Sequence, residues 1–313
     1  MIYLANRASA VLYDYLSSIQ APKPFLLPSN VCPVVPLSFL KAGVDFEFVD
    51  IDATHAMSKE QCITKLETGN YSGLLFVHAY GKKFDNTAFY AYVKALNESL
   101  QIIDDCCLCI PDTTEDMPQN IDLQLFSTGY AKYVELSYGG YGKSRFIGMN
   151  RNSLDYDKES EIKQQVYIKQ CFKGHRKYKL DPNLSWIDFS PLKMSKEEYF
   201  SIIEQKKTKI EQGKAAINTI YNEMLPKSIQ VENEFNNWRY LIMVDNQQKV
   251  LDAIFENGLF AGTNFPSVSY MFKSVVSPIA ENEASHIINL FNDFRISEEQ
   301  ALKICKIINQ IIW

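Results

Sequence analysis

Short apolar runs alternate with amphipathic segments through the first half of the sequence, and this alternation constrains the fold more than any other feature. The strand-like runs are "PFLLPSN", "VDFEFVDID", "SGLLFVHAYG" and "LQIIDD". The segments between them have helical spacing: "PVVPLSFLKAG", "SKEQCITKLETG" and "DNTAFYAYVKALNES". Gly43 is placed to end the first of these helices, and Ser58 to cap the start of the second. The pattern predicts an α/β fold with a mostly parallel central sheet that helices cover on both faces.

Four polar residues stand where apolar runs end: Ser29, His78, Asp105 and Ser127. The carboxyl ends of parallel strands meet at one edge of a sheet, and ligands bind along that edge. We therefore expect these four side chains to lie on the same edge, which is where a functional site is expected.

The pattern changes from about residue 181 onward. A long amphipathic helix covers "SKEEYFSIIEQKKTKIEQGKAAINTIYNEML", with a break expected near Gly213. A strand-like "WRYLIMVD", a helix "QQKVLDAIFENG" and a capped terminal helix "SEEQALKICKIINQII" follow. We predict a large α/β cofactor-binding domain over residues 1–190. Residues 191–313 are expected to form the long connecting helix and a small C-terminal α+β domain, with a ligand cleft between the two units. The tryptophans at 186, 238 and 313 are expected as core or interface anchors.

Charge and composition exclude several classes of protein. The 313-residue chain has a formal net charge of −5 and no long cluster of Lys or Arg, which argues against nonspecific binding to nucleic acid or to anionic membranes. No apolar stretch reaches the roughly 18 residues of a membrane span, and the first residues lack the features of a signal peptide. Seven cysteines, an odd number in a chain too long to need disulfides, favour a reduced, cytoplasmic protein.

Three of the cysteines, Cys106, Cys107 and Cys109, raise the alternative of a metal site. Their spacing is not C-x-x-C, no second pair lies at zinc-finger distance, and the four histidines are scattered. We therefore predict no metal site and interpret these cysteines as small side chains that fill a tight strand end.

One lysine, Lys132, lies in the turn-rich segment "FSTGYAKYVELSYGGYG". Small and hydroxyl residues surround it: Ser127, Thr128, Gly129, Gly139 and Gly140. Glycines let the backbone come close to a ligand, hydroxyls donate to phosphate oxygens, and a lysine in a pocket of low dielectric constant can react as a neutral amine with a carbonyl. The alternative is an ordinary surface lysine.

Asp105 ends a strand about 27 residues before Lys132. A carboxylate at a buried strand end can be a simple cap or a helix partner. It can also pair with a protonated pyridine nitrogen, the interaction that makes pyridoxal phosphate (PLP) an electron sink. The order of carboxylate, hydroxyl, lysine and glycines fits PLP, because one group tunes the ring, one binds the aldehyde and one holds the phosphate.

Several longer segments resemble the DegT/DnrJ/EryC1/StrS family, over nearly the whole chain. "LPSNVCPVVPLSFLKAGVDFEFVDID" resembles the family's strand and helix that lead to an Asp-containing "VDID", and "FVHAYGKKFD" resembles its "VHLYG" strand end. "IIDDCCLC" resembles "IEDAAQ", "FSTGYAKYVELSYGG" resembles the lysine loop that ends in "GEGG", and "IINLFNDFRISEEQALKICKIIN" resembles the last helix. These proteins are PLP-dependent aminotransferases of fold type I that act on nucleotide-linked keto-sugars.

The resemblance implies a role for each matching residue. Lys132 matches the Schiff-base lysine and proton carrier, Asp105 the partner of the pyridine nitrogen, and Ser127 the phosphate-binding serine. "NRASAVLYDYL" resembles the family's "SGTAAL" helix start, so the backbone N–H groups of Ala8 and Ser9 would bind the phosphate. Asn183, in "DPNLSW", matches the asparagine that reaches the phosphate of the neighbouring subunit.

The sequence departs from the family pattern at four cofactor positions. Leu108 stands where the family has Gln or His near the ring, and Cys32 where an aromatic residue stacks on it. Ala8 replaces a Thr of the phosphate shell, and Tyr138 replaces the Glu of "GEGG". Each lost contact is expected to weaken cofactor binding by about 1 kcal/mol. The chain also begins close to the "SGTAAL"-like segment, which predicts a more open acceptor pocket.

The resemblance implies an aminotransferase that moves an amino group from glutamate to a keto-sugar, nucleotide-linked, in surface glycan or antigen biosynthesis. It also implies a homodimer with an active site shared across the interface. His78 and Tyr138 are candidate substrate contacts, although a histidine at a strand end can equally be structural. A non-catalytic homologue or partner subunit that keeps the fold is the alternative. Sugar dehydration is a third reading, against which Lys132 argues because the family's dehydratases carry a His there.

Overall fold

A seven-stranded sheet, called here the large sheet, organises the first half of the chain. The computed structural model describes residues 1–146 and 155–312. The strands are β1 (Ile2–Ala5), β2 (Phe25–Pro28), β3 (Phe46–Val49), β4 (Gly73–Val77), β5 (Gln101–Asp105), β6 (Leu123–Ser127) and β7 (Gly140–Ser144). Their spatial order is β1-β7-β6-β5-β4-β2-β3. All neighbours pair in parallel except β7, which is antiparallel to both β6 and β1. The predicted mostly parallel α/β architecture is therefore confirmed.

Helices cover both faces of the large sheet. They are α1 (Ala8–Ser18), α2 (Val34–Ala42), α3 (Lys59–Leu66) and α4 (Thr87–Leu96). Side chains of β2 alternate between the faces: Phe25 and Leu27 pack with α1 and α2, whereas Leu26 packs with α3 and α4. A strand that is buried on both faces has no polar alternation, which explains the continuous apolar runs in the sequence. As predicted, Gly43 ends α2 in the left-handed conformation, and Ser58 caps α3 by accepting from the Gln61 N–H.

The remaining helices follow the large sheet in the chain. They are α5 (Lys158–Lys173), α6 (Lys196–Met224), α7 (Gln247–Glu256), α8 (Ser269–Lys273), α9 (Pro278–Ala284) and α10 (Glu298–Ile312). The 29-residue α6 is unbroken, so the break expected near Gly213 is wrong. A glycine costs a helix only about 1 kcal/mol, and a capping box at Ser195 together with the burial of Tyr199 and Tyr221 outweighs that cost. In the described parts of the chain, every helix is too short or too polar to cross a membrane.

A second, three-stranded sheet, called here the small sheet, lies in the last third of the chain. Its strands β8 (Tyr240–Met243), β9 (Ala261–Gly262) and β10 (Ile287–Leu290) are antiparallel in the order β8-β10-β9. Side chains from α6, α7 and α10 bury one hydrophobic cluster against it. Trp186 and Trp238 are both buried, and Trp313 lies outside the described residues.

Candidate active site

A cavity of about 500 Å³ opens at the carboxyl edge of the large sheet. The edge forms as predicted: β2 ends before Ser29, β4 before His78, β5 at Asp105 and β6 at Ser127. Of these four, Asp105 and Ser127 line the cavity. The other walls come from the first turns of α1 and α2, from the loop after β6, from α5, and from Trp186 and Asp188.

Asp105 lies at the end of β5 with 7% of its surface exposed. The Cys107 N–H donates to Asp105 Oδ1 at 2.9 Å, and Asp105 forms no ion pair with any described residue. A buried carboxylate without a cation is costly, because its charge has lost water and gained no counter-charge. Asp105 therefore presents to the cavity a carboxylate that has no salt-bridge partner among the described residues.

The preceding residue, Asp104, points away from the cavity into a buried hydrogen-bond network. Its donors are His78 Nε2 at 3.0 Å, Tyr90 OH at 2.5 Å, Gln124 Nε2 at 2.9 Å and Cys106 Sγ at 3.4 Å. Although burial raises the pKa of Asp104, these bonds, led by the one from His78, hold it below its usual value. The network fixes the end of β5, and with it the position of Asp105.

His78 belongs to this network and does not line the cavity. Its Nδ1 accepts from the Phe84 N–H at 2.9 Å, which leaves Nε2 to carry the proton that it donates to Asp104. Both ring nitrogens are used, and 2% of the residue is exposed. His78, Asp104 and Cys106 place possible metal-ligand atoms within 4.8 Å of one another, yet the hydrogen bonds among them already account for this arrangement.

Lys132 faces the cavity from the loop that follows β6. It makes no hydrogen bond or salt bridge within residues 1–146 and 155–312. The residue before it, Ala131, has a φ of 55°, a left-handed conformation that costs a non-glycine residue about 1–2 kcal/mol. Two bonds hold that residue in place: its N–H donates to Glu135 Oε2 at 2.8 Å, and its carbonyl accepts from Trp238 Nε1 at 2.7 Å. Arg295 in turn binds Glu135. Residues near the small sheet therefore fix the loop that presents Lys132.

The N-terminus of α1 forms the opposite wall of the cavity. Arg7 caps the helix without a side-chain hydrogen bond, and the first turn holds no acidic residue, so the N–H groups of Ala8 and Ser9 and the positive end of the helix dipole remain available to an anion. Gly140 makes this geometry possible, because a Cβ there would lie 2.2 Å from the Ala8 nitrogen. Ser127 accepts from the Gly129 N–H at 3.3 Å, which leaves its hydroxyl proton free to donate.

Burial keeps the thiols beside the cavity neutral. It raises the pKa of Cys32 and that of Cys107, and for Cys32 it outweighs the opposing effect of Lys132. Cys32 lines the cavity next to Lys132 and Asp105. Cys32 and Cys107 therefore add no charge beside Asp105 at neutral pH.

The structure brings together six of the predicted site residues around this cavity: Ala8, Ser9, Cys32, Asp105, Ser127 and Lys132. Leu108 lines a small adjoining cavity of about 30 Å³ with Asp105 and Lys132. His78, Tyr138 and Asn183 line neither of these cavities. The side chain of Tyr138 packs near Tyr199, and Asn183 is exposed, with its N–H donating to Asp181.

The wall formed by α5 has no counterpart in the sequence-based prediction. It contributes Glu161, Gln164 and Lys169 to the cavity lining. The sequence does carry a signal for the start of this helix, because Asp157 stands directly before "KESEIKQQ", where an N-cap is expected. In the structure, Asp157 caps the helix by accepting from the N–H groups of Glu159 and Ser160. What the sequence does not show is the direction in which this helix crosses the site.

Comparison with solved structures shows the fold. The chain is similar to the sugar aminotransferase CalS13 from Micromonospora echinospora, at 14% identity over 100% of this chain and 87% of that one, with a TM-score of 0.71. It is similar to a DegT DnrJ EryC1 StrS aminotransferase from Brucella abortus, at 18% identity over 99% and 85%, with a TM-score of 0.68. Helicobacter pylori PseC, an aminotransferase involved in the biosynthesis of pseudoaminic acid, matches at 13% identity over 99% and 86%, with a TM-score of 0.67.

No protein-family model matches the sequence, and no curated protein matches it. The structural matches extend over nearly the full chain, so the fold is that of the PLP-dependent aminotransferases, as predicted.

Proposed function

We propose that this protein is a PLP-dependent aminotransferase. The observation that carries the proposal is the buried, unpaired carboxylate of Asp105, which shares one cavity with the unpartnered amine of Lys132. PLP supplies a cation to pair with Asp105, a carbonyl to react with Lys132 and a phosphate to bind the N-terminus of α1. The donor set therefore fits PLP on all three sides.

Each group would contribute one step of binding or proton transfer. The N–H groups of Ala8 and Ser9 and the hydroxyl of Ser127 would hold the phosphate, and Asp105 would keep a proton on the pyridine nitrogen. PLP, when bound, withdraws electrons from the carbon that carries the amino group. Lys132 would hold the cofactor's aldehyde carbon covalently. When the amino donor displaces it, its Nζ would take the proton from the donor's amino-bearing carbon and return it two atoms away, at the cofactor's former aldehyde carbon, which is a 1,3-shift.

We propose a keto-sugar as the amino acceptor and glutamate as the amino donor. The match to solved sugar aminotransferases supports the acceptor class, and one of the matched structures, DesI, was solved with its TDP-sugar product. A nucleotide-linked sugar used for surface glycans is the finer form of this proposal. A cavity of about 500 Å³ is in the ordinary range for a small-molecule site.

We further propose a cytoplasmic homodimer in which Asn183 of one subunit reaches the phosphate site of the other. The exposed position of Asn183, away from the cavity of its own chain, supports this arrangement. We also propose that the boundary between the two domains lies between residues 190 and 191, ahead of α6.

The test is the absorbance of the purified protein with added PLP. PLP joined to a lysine amine absorbs at roughly 410–430 nm. We expect this band in the wild type and in Lys83→Ala, a control at an exposed lysine, and its loss in Lys132→Ala. Absence of the band at saturating PLP would overturn the proposal. If the band forms but glutamate and other amino donors do not bleach it, the result would instead support the non-catalytic homologue. The replacements at Cys32 and Leu108 are the reason for considering that alternative.

A further inference from the structure

Trp238, two residues before β8, connects the last third of the chain to the loop that presents Lys132, called here the lysine loop (residues 128–139). It is 4% exposed, and its indole N–H donates to the Ala131 carbonyl at 2.7 Å. That carbonyl and the backbone N–H of Lys132 belong to one peptide unit, and a peptide unit is planar. The bond from Trp238 therefore fixes the plane from which Lys132 projects.

The preceding peptide unit, between Tyr130 and Ala131, is held from another side. The Ala131 N–H donates to Glu135 Oε2 at 2.8 Å, and Arg295 binds that same carboxylate oxygen. Asp293 Oδ2 lies 2.6 Å from Arg295 Nη1, so the arginine is itself held. Because both peptide planes that flank Ala131 are fixed, the φ of 55° at this residue is fixed as well.

Together the two bonds offset the strain at Ala131. The left-handed region costs a non-glycine residue about as much free energy as one neutral hydrogen bond contributes. With a single bond left, the left-handed and right-handed conformations of Ala131 would differ little in free energy. A change between them rotates the following peptide plane and swings the Lys132 side chain, whose amine lies at the end of a flexible four-carbon stem.

Trp238 can hold this plane because its own position is fixed. Its ring stacks on Phe265 with the centroids 5.5 Å apart, and its carbonyl accepts from Lys214 Nζ at 2.8 Å. The backbone of Gly81 lies so close that a Cβ there would come within 3.1 Å of the Trp238 Cβ. Among the described residues that line the main cavity and the small adjoining one, Phe265 is present and Trp238 is not. Trp238 therefore acts on the site through the peptide unit that it holds.

We propose that Trp238 is a positioning residue for Lys132, and that its N–H holds the peptide unit before Lys132 so that Nζ reaches the aldehyde carbon of PLP. This inference rests on the proposed aminotransferase function. The other proposed contacts to the cofactor come from Asp105, from Ser127 and from the first turn of α1, and none of them passes through Ala131. Loss of the Trp238 bond should therefore impair the covalent bond to Lys132 and leave noncovalent binding of the cofactor intact.

The test compares two forms of the cofactor. PLP can bond covalently to Lys132, whereas pyridoxamine phosphate, which has an amine where PLP has the aldehyde, cannot. Trp238→Phe removes the N–H and keeps an aromatic ring to pack on Phe265. At saturating PLP, we expect the rate at which the band at roughly 410–430 nm grows to fall by about 10- to 100-fold, as misplacement of a reacting group by about 1 Å predicts. The Kd for pyridoxamine phosphate, measured by calorimetry, should stay unchanged.

Tyr221→Phe is the matched control, because it also removes a buried aromatic donor to a backbone carbonyl, that of Phe291 at 2.9 Å. Tyr221 packs in the hydrophobic cluster of the small sheet, to which the described residues of the lysine loop contribute nothing. This variant should form the band at the wild-type rate and bind pyridoxamine phosphate as the wild type does.

Slower band growth with unchanged binding of pyridoxamine phosphate supports the proposed role of Trp238. The proposal is overturned if Trp238→Phe impairs band growth and pyridoxamine phosphate binding to the same degree, changes neither, or weakens only pyridoxamine phosphate binding. A wild type that shows no band at saturating PLP would instead overturn the aminotransferase proposal, and that result is distinguishable because it needs no variant.

If Trp238→Phe does not fold, two variants of Glu135 test the same restraint from the other side. Glu135→Ala removes the acceptor for the Ala131 N–H and should slow band growth, whereas Glu135→Gln keeps an acceptor oxygen and should restore most of the rate. Band growth at the wild-type rate in Glu135→Ala, or equal slowing in both variants, would also overturn the proposal.

Discussion

Asp104 and Asp105 are adjacent residues with opposite environments. Asp104 accepts from four side chains, whereas Asp105 faces the cavity and has no salt-bridge partner among the described residues. Alternation along β5 sends the two carboxylates to opposite faces. One of them therefore holds the strand end in place, and the other remains available to a ligand.

We expect Asp104→Asn to lower the free energy of unfolding by about 3 kcal/mol at pH 7, because an amide cannot accept from all four donors and leaves some of them unpaired. The folded-state pKa of Asp104 is lowered, so its contribution is present above the unfolded value and is lost as the pH falls through the folded value. Urea unfolding measures the change. Asp116→Asn, at an exposed carboxylate, is the control, and equal stability of the two variants would contradict this role for Asp104.

A site residue can be predicted from the sequence when its position in the chain determines its position in the fold. Asp105 and Ser127 end apolar strands, so their location at the sheet edge follows from the strand pattern. Arg239, which directly precedes β8, gives no such signal. It lies buried against the rings of Phe291 and Trp238, a packing that only the folded chain creates.

At the scale of elements, the site depends on how closely α1 approaches β7. The contact is made at Gly140, where a Cβ would overlap the backbone of Ala8 and Arg7. Because backbone atoms cannot move aside as a side chain can, a larger residue would displace the first turn of α1. That turn carries the proposed phosphate-binding N–H groups.

We expect Gly140→Ala to weaken PLP binding by at least about tenfold, as loss of one or more hydrogen bonds predicts, and to lower the melting temperature. Gly213→Ala is the matched control, because nothing lies within 4 Å of a Cβ there. It should leave PLP binding unchanged and stabilise α6 by up to about 1 kcal/mol. Absorbance titration with PLP and thermal unfolding provide both measurements, and unchanged affinity in Gly140→Ala would show that α1 does not hold the phosphate.

The elements that the sequence predicts are those with strong local signals. The sequence predicts the apolar strands β2 to β5 and the helices between them, with the ends of α2 and α3 at Gly43 and Ser58. By contrast, the pattern does not predict β1 or β7, and β7 reads "GYGKS", with little apolar patterning. Their places in the sheet come from pairing with one another and with β6, a long-range effect that local patterns do not encode.

At the scale of the whole molecule, Lys214 joins α6 to the segments beside the small sheet. Its buried Nζ donates to the Trp238 carbonyl at 2.8 Å and to Asn292 Oδ1 at 2.7 Å. Burial lowers the pKa of Lys214 to about 7. The folded protein thus releases this proton at a much lower pH than an unfolded chain does.

We expect the stability contributed at this position to rise with pH between about 7 and 10.5, because in that window the unfolded chain binds a proton that the folded chain has lost. The slope should approach 1 kcal/mol or slightly more per pH unit. It is measured as the difference in urea unfolding between the wild type and Lys214→Met at several pH values. Lys206→Met, at an exposed lysine of the same helix, should show no such slope, and a flat difference for Lys214→Met would refute the prediction.

The bonds around Ala131 have a consequence for local unfolding. The N–H of this residue is held by Glu135, which Arg295 binds, and its carbonyl is held by Trp238, so the lysine loop shares its restraints with the last third of the chain. Proteins open in cooperative units, and a loop tied to two units is ordered only while both are closed. The geometry of Lys132 is thus a property of the cooperative assembly, and it persists only while both the large sheet and the segments beside the small sheet stay folded.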